Sequence, residues 1–272
     1  MSTRRKLAIP LACALIGLPA CSSDDQTPRA VFEPQEVIDL GALVTEDLPE
    51  RVWGKAFLAA LGFTRPNTFD VINWEFEAEG GRVSGSNAYY TLFNHGGPHV
   101  DAPNHMSLGG GLDTYPVEAF AGPLKVFDVR QFPKGRSVPP EVFSGSVRAG
   151  DVVLIATGYS PPETDDAFPE TIALTPEAAE YLATIPVRAF GTDAFAVASL
   201  QDTTSVEAES EVARAFPIHH AFLSRGIPVY EQLFNVDRLL EKAPTASMYF
   251  VGVPLNIRDG DGMIVRPVVL VY

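Results

Sequence analysis

The segment from His95 to His105, His-Gly-Gly-Pro-His-Val-Asp-Ala-Pro-Asn-His, constrains the fold of this chain more than any other. It places three of the five histidines of the protein and one aspartate within eleven residues. Two glycines and two prolines lie between them, and neither residue type is favourable inside a helix. The residue before each proline is also biased towards extended conformations. The segment therefore predicts an irregular extended loop in which His99 and Asp101 point to the same side.

The amino terminus has the features of an export signal. Basic residues at 4–6 precede an apolar run at 7–18, and this run is too short to cross a membrane as a helix. Small residues then lead to Cys21, as they do in bacterial lipoprotein signals. We predict a signal peptide at 1–20, a lipid on Cys21 and a flexible polar tether at 21–36. An ordinary secretory signal is the alternative.

This interpretation predicts an exported protein that is lipid-anchored to the bacterial cell envelope and touches the membrane only through Cys21. Loss of residues 1–20 removes three basic residues and changes the formal net charge from −14 to −17. So acidic a domain disfavours nucleic acid as a partner. Cys13 leaves with the signal, so the domain keeps no free thiol for a disulfide or a metal. Any metal site must then use nitrogen and oxygen ligands.

The remaining residues, 37–272, are predicted to form one domain, because nothing in them resembles a linker between two cores. Hydrophobic residues make up 46% of the sequence, which is enough for a full core. Strand and helix patterns alternate, as is typical of a mixed α/β domain. We predict strands at 37–41, 124–129, 152–156, 187–190, 229–230, 248–255 and 264–272, and a hairpin formed by 69–79 and 83–93. We predict helices at 175–182, 207–215 and around 219–223, and loops at 48–53 and 160–168.

The histidine segment has the chemistry of a metal site. Imidazole and carboxylate together suit Zn²⁺, Mn²⁺ or Fe²⁺. Three protein ligands leave positions open for water, which such an ion activates for attack on a carbonyl. His105, if it is not a ligand, would be free to move a proton to a leaving group. The alternative is a loop whose histidines only make local hydrogen bonds, but three histidines and an aspartate on one scaffold favour metal.

The pattern H-x-G-x-H-x-D-x-P-x-H at 95–105 resembles the signature of the cyclase-like metal-dependent hydrolases, a family that includes kynurenine formamidases and isatin hydrolases. A second segment carries the same resemblance, because His219 and Glu231 lie twelve residues apart, like the late ligands of that family. The resemblance extends over nearly all of the chain after about residue 37. It implies an α/β fold, a swivelling β/β/α domain of mixed sheets with flanking helices, and assembly as a homo-oligomer.

For the site, the resemblance implies one or two divalent metal ions, Zn²⁺ or Mn²⁺, bound by His95, His99, Asp101, His219 and Glu231. Asp101 would bridge two ions, and His105 would be the general acid/base. The implied activity is hydrolysis of a small-molecule amide, of the arylformamide or cyclic lactam type, or of a lactone, by metal-activated water. A non-catalytic lipoprotein that binds a metal or a small molecule is the alternative.

The sequence departs from the family pattern at three positions near the site. Pro98 stands where the family usually has threonine, and Met106 where phenylalanine is common. Ala196 lies near the place of a frequent serine. None of these changes removes a ligand, but those at Met106 and Ala196 could reshape the substrate pocket. His220 is an alternative late ligand, although the spacing to the late glutamate favours His219.

Overall fold

The computed structural model describes residues 33–134, 137–161, 170–197 and 216–272. Residues 34–272 belong to one compact unit. The predicted signal peptide, Cys21, the tether as far as residue 32, most of the predicted loop at 160–168 and the predicted helix at 207–215 lie outside the described residues. Within the described part of the chain, no helix is long and apolar enough to cross a membrane.

Strands dominate the described residues. They are β1 (Glu36–Asp39), β2 (Thr68–Ala78), β3 (Gly81–Thr91), β4 (His99–Asp101), β5 (Ala121–Asp128), β6 (Ser137–Val138), β7 (Val152–Ala156), β8 (Ala173–Leu174), β9 (Ala189–Thr192), β10 (Val229–Glu231), β11 (Met248–Val251), β12 (Gly262–Ile264) and β13 (Val268–Val271). Nine of them form one mixed sheet in the order β1-β13-β11-β5-β7-β9-β10-β4-β12. The four central strands, β5, β7, β9 and β10, are parallel. Antiparallel strands flank them on both sides.

The helices of the described residues are short: α1 (Leu48–Trp53), α2 (Lys55–Ala60), α3 (Pro176–Thr184), α4 (Pro217–Leu223) and α5 (Val236–Lys242). The start of α3 agrees with its prediction, because the Thr175 side chain accepts a hydrogen bond from the amide of Ala178. The predicted loop at 48–53 is wrong, since these residues form α1. Pro49 occupies the first helical turn, where a missing N–H is tolerated, and Leu48 and Val52 bury one face of the helix.

The core lies on both faces of the sheet, and β7 separates its two parts. Val152 and Leu154 pack on one side, where α5 also contributes to the core. Val153 and Ile155 pack on the other side, against α3 and α4. The predicted strand at 152–156 is confirmed as β7, and because every one of its residues is buried, the strand is covered on both faces.

The histidine segment is more regular than predicted. The irregular loop expected there is wrong for His99–Asp101, which form β4 between β10 and β12. Partners on both sides satisfy the backbone of β4, and those partners come from distant parts of the chain. The predicted hairpin is confirmed as β2 and β3, which pair along their whole length and end just before the histidine segment.

The late strands are shorter than predicted. Strand β11 ends at Val251 instead of 255, and the carbonyl of the next residue, Gly252, accepts a hydrogen bond from the buried Tyr230 hydroxyl. The predicted strand at 264–272 is divided into β12 and β13. Pro267 lies in the gap, and its lack of an N–H explains why the ladder is interrupted there.

Candidate metal centre

Strands β4 and β10 place three of the predicted ligands on one face of the sheet. In the antiparallel register His99 lies opposite Glu231, and Asp101 is two residues further along β4. Asp101 Oδ1 lies 3.2 Å from His99 Nε2, and Glu231 Oε2 lies 3.6 Å from the same nitrogen. The other ring nitrogen of His99, Nδ1, is 2.9 Å from the Gly97 carbonyl. That hydrogen bond assigns the proton to Nδ1 and leaves Nε2 free for a ligand.

Helix α4 brings a fourth predicted ligand into the same cluster. His219 Nε2 lies 3.2 Å from Glu231 Oε1 and 3.7 Å from Asp101 Oδ2. The Val197 amide donates a hydrogen bond to Glu231 Oε1 at 2.7 Å, which helps to fix this carboxylate. Of the two histidines considered for the late position, His219 is the one that contributes a nitrogen to the cluster.

His95 completes the set and lies beside His105. Its Nδ1 is 3.0 Å from Asp101 Oδ1, and its Nε2 is 3.1 Å from Asp261 Oδ2. The rings of His95 and His105 are 4.3 Å apart, and the His219 ring lies 5.6 Å from that of His105. The structure therefore brings together all six residues that were predicted for the site.

The donor set fits a divalent cation. Asp101 is fully buried, yet neither of its carboxylate oxygens has a hydrogen-bond partner in the described structure, and the same is true of Nδ1 of His95 and of His219. Buried polar atoms without partners are costly unless something else satisfies them. Two groups have ligand atoms within 4.8 Å of one another: His95, Asp101 and His105, and His99, Asp101 and Glu231. Asp101 belongs to both, as a bridging ligand would.

Burial and neighbouring carboxylates shift the pKa values of three histidines in the site, in different directions. Burial opposes the charged form of His95, but its contacts with Asp101 and Asp261 outweigh burial and raise its pKa to about 10. Burial lowers the pKa of His105 to about 4, although the Asp101 charge opposes this shift. For His219 burial is again outweighed, here by Glu231, and its pKa is raised. His105 is therefore a neutral imidazole at pH 7.

Two supports of the histidine segment were not predicted. The buried Gln232 accepts a hydrogen bond from the Gly97 amide at 2.8 Å and donates to the carbonyls of His95 and Phe195. Its backbone is left-handed, with φ of 61°, which is unusual for glutamine. Trp53 donates to the same His95 carbonyl at 2.8 Å. In the sequence, Gln232 is distinguished only by following Glu231, so no local pattern could have identified it.

Asp261 is a third residue that sequence reasoning missed. The sequence indicates only a turn at Gly260-Asp-Gly262, whereas the structure places the Asp261 carboxylate against His95.

Two of the positions that depart from the family pattern have structural contacts of their own. The carbonyl of Pro98 accepts a hydrogen bond from the Val265 amide at 2.8 Å. Met106 packs at the edge of the core between the sheet and helices α3 and α4.

Comparison with known proteins identifies the family. The Cyclase family profile matches residues 22–199, more than half of the chain, and the match includes the histidine segment. The chain belongs to the Cyclase family. His219 and Glu231 lie beyond the residues that the profile matches, so their assignment rests on the geometry described above.

Two individual proteins that resemble this chain agree with its assignment to the Cyclase family. Kynurenine formamidase from Salinibacter ruber is 32% identical over 182 residues, which are 65% of this chain and 76% of the relative. Isatin hydrolase from Roseibium aggregatum is 24% identical over 208 residues, which are 67% of this chain and 74% of the relative. The predicted family and the predicted class of enzyme, a metal-dependent hydrolase, are confirmed.

Solved structures confirm the predicted α/β fold. Isatin hydrolase A from Labrenzia aggregata, bound to benzyl benzoate, superposes with a TM-score of 0.64 at 24% identity, over 86% of this chain and 93% of that one. A potential metal-dependent hydrolase with cyclase activity superposes with a TM-score of 0.57 at 21% identity, over 86% and 96% of the two chains.

Proposed function

We propose that this hydrolase cleaves the carbon–nitrogen bond of a small arylformamide or cyclic lactam, or the ester bond of a lactone. The observation that carries this proposal is the convergence of His95, His99, His219 and Glu231 on the fully buried Asp101. The curated relatives support the amide class, since their names are kynurenine formamidase and isatin hydrolase.

In this proposal His95, His99, Asp101, His219 and Glu231 hold one or two divalent ions, Zn²⁺ or Mn²⁺. Such an ion, when bound, supplies an activated water and polarises the substrate carbonyl. The protein contributes the orientation of the ligands. The His99 ring is fixed by the Gly97 carbonyl, and the Glu231 carboxylate by the Val197 amide.

His105 moves the proton in the proposed reaction. Burial keeps its imidazole neutral at pH 7, so it is able to accept a proton from the attacking water. Its ring lies beside His95 and His219, within the cluster that would hold the ion. The imidazolium that forms then protonates the departing nitrogen or oxygen.

A substrate panel tests the reaction. The full chain, loaded separately with Zn²⁺ and with Mn²⁺, is assayed against an N-formyl arylamine, an isatin-like lactam and a dienelactone. We expect hydrolysis of at least one of them, and chelation of the metal should abolish it. A fully metal-loaded protein that hydrolyses none of the three would contradict the proposed substrate class.

We also propose that the mature protein is exported and anchored to the cell envelope through a lipid on Cys21. The support is the order of residues at the amino terminus, where a basic stretch, a short apolar run and small residues precede the cysteine.

The hairpin of β2 and β3 supports a homo-oligomer, which we propose as a dimer. Ile72, Trp74 and Phe76 alternate along β2 and therefore share one side of the hairpin, and all three are exposed. Arg82, with its ion-pair partners Glu75 and Glu77, lies on the other side. This side is apolar from Ile72 to Phe76, with Asp70 at its end, and an exposed apolar patch of this kind is suited to burial against a second copy of the chain.

Light scattering tests the proposed dimer. Trp74→Asp should shift the protein from dimer to monomer, because it would bury a charge in the interface. Val117→Asp is the matched control, since it places the same charge at another exposed apolar position. A wild-type protein that remains monomeric at high concentration would rule out the dimer.

A further inference from the structure

Asp261 lies behind His95, on the side away from Asp101. The two ring nitrogens of His95 face different carboxylates: Nδ1 is 3.0 Å from Asp101 Oδ1, and Nε2 is 3.1 Å from Asp261 Oδ2. The contact with Asp261 has the geometry of a hydrogen bond, whereas Nδ1 has no hydrogen-bond partner in the described structure. Nδ1 is therefore the nitrogen that is available to a metal.

We propose that Asp261 is a positioning residue, which holds His95 in the tautomer that presents Nδ1 to the metal centre. This inference rests on the proposed function only in taking His95 as a ligand. A metal-binding histidine commonly donates its other N–H to a carboxylate, which fixes the tautomer and the ring orientation and makes the histidine a stronger ligand.

Asp261 is itself held in place, as this role requires. Its Oδ1 accepts a hydrogen bond from Asn94 Nδ2 at 2.8 Å. Its backbone carbonyl accepts one from the Ala102 amide, also at 2.8 Å, directly after the end of β4. The Asp261 carboxylate is thus tied to the residue before His95, and its backbone is tied to the residue after β4, the strand that carries Asp101. These two hydrogen bonds hold the carboxylate beside the His95 ring.

The backbone beside Asp261 also limits rotation of the His95 ring. A Cβ atom on Gly262 would lie 2.5 Å from His95 Cε1, so the ring packs directly against the start of β12. Only glycine allows this approach. Asp261 Oδ2 contacts His95 Nε2, the ring nitrogen that does not face Asp101, which assigns Asp261 to the support of a ligand instead of to the metal.

The test compares Asp261→Ala, Asp261→Asn and the control Asp259→Asn in the full chain. Asp259 is on the same turn, its described hydrogen bonds use backbone atoms, and asparagine tolerates its left-handed φ of 54°. Zn²⁺ affinity is measured by competition with a chelator. We expect Asp261→Ala to lower the affinity by about 10–100-fold, Asp261→Asn to lower it less, and Asp259→Asn to change it by less than about twofold.

Two further measurements separate positioning from a general loss of structure. Metal-free Asp261→Asn and Asp259→Asn should melt at similar temperatures, and the Nε2–H resonance of His95 in the Zn²⁺-loaded protein should move or disappear in the Asp261 variants alone. Equal Zn²⁺ affinity in all three variants would overturn the proposal. If the affinity depends on Asp261 but the wild-type protein hydrolyses no substrate, the proposed reaction fails and the role of Asp261 stands.

Discussion

His95 and His105 have rings only 4.3 Å apart, yet their pKa values move in opposite directions. His95 faces two carboxylates, which raise its pKa to about 10. His105 faces Asp101 from further away, so burial dominates and lowers its pKa to about 4. Neighbouring groups with divergent pKa values are typical of sites that divide the chemistry between them. Here one histidine is suited to holding an ion and the other to moving a proton.

At the scale of single residues, replacement of His105 is the most direct test of the proposed proton transfer. His105→Ala should lower kcat by about 10²–10⁴-fold, because it removes the proposed proton carrier. Zn²⁺ content should stay close to that of the wild type, since the five proposed ligands remain. The measurement is steady-state kinetics with elemental analysis of the same sample. His220→Gln on α4 is the matched control and should keep wild-type activity. A binding protein without catalysis would be indifferent to both changes.

The raised pKa of His95 predicts that metal binding releases a proton. Protonated His95 stabilises the folded, metal-free protein. This stabilisation is complete below pH 6.5, the ordinary pKa of histidine, and it is lost as the pH rises through about 10, the pKa of His95 in the folded protein. A metal must displace the proton from His95, so Zn²⁺ affinity should rise by about tenfold per pH unit for each proton released. Calorimetry at pH 7.5 in buffers of different ionisation enthalpy measures the release.

The same titration with His95→Ala supplies the control for proton release. This variant should release fewer protons than the wild type when Zn²⁺ binds. An equal release from both proteins would show that the proton comes from another residue.

At the scale of elements, the site depends on how helix α1 and the end of β10 hold the histidine segment. Trp53, the last residue of α1, and Gln232, directly after β10, both donate hydrogen bonds to the His95 carbonyl. Trp53 also stacks on Phe57 at 5.6 Å and contacts Phe195 edge-on at 5.8 Å. The Trp53 ring therefore packs among these aromatic side chains, while its indole N–H supports the site.

Removal of the Gln232 side chain should weaken this support. Gln232→Ala leaves the buried Gly97 N–H without its acceptor, and an unsatisfied buried donor costs about 1–3 kcal/mol of folding free energy. Urea unfolding of the metal-free protein measures the loss. Asn235→Ala is a matched control, since Asn235 is also left-handed, with φ of 55°, but makes an exposed hydrogen bond to the Asp39 carbonyl. Equal losses in the two variants would contradict a special role for Gln232.

At the scale of the whole molecule, the candidate metal centre lies where the parallel strands of the sheet meet the antiparallel strands β4 and β12. Residues from two segments more than a hundred positions apart meet there: the histidine segment at 95–105, and α4 with β10. The proposed tether would then hold this domain near the envelope, with the lipid as its only attachment.

Replacement of Cys21 tests the proposed attachment to the cell envelope. Cys21→Ala should abolish incorporation of a labelled fatty acid and should release the protein from the membrane fraction, while hydrolysis by the purified domain stays within about twofold of the wild type. Cys13→Ala is the control, because Cys13 lies within the proposed signal and should leave lipidation intact. Membrane retention of Cys21→Ala would contradict the lipid anchor.

Much of the fold followed from local pattern. The strand at 152–156, the hairpin before the histidine segment and the start of the helix at 175 were predicted, because periodicity and capping depend on residues close in sequence. The predicted loop at 48–53 failed, because Pro49 is equally compatible with a loop and with a first helical turn, and burial of Leu48 and Val52 decides between them.

For the site, residue types and spacing in the histidine segment predicted a metal site with nitrogen and oxygen ligands, and the resemblance to the family, which is confirmed, added His219 and Glu231 to the expected ligands. The supporting residues could not be predicted, because nothing local distinguishes them. Asp261 meets His95 across 166 positions, and Gln232 reaches Gly97 across 135. Such pairings arise when β4 is placed between β10 and β12, and that placement depends on the packing of the whole sheet.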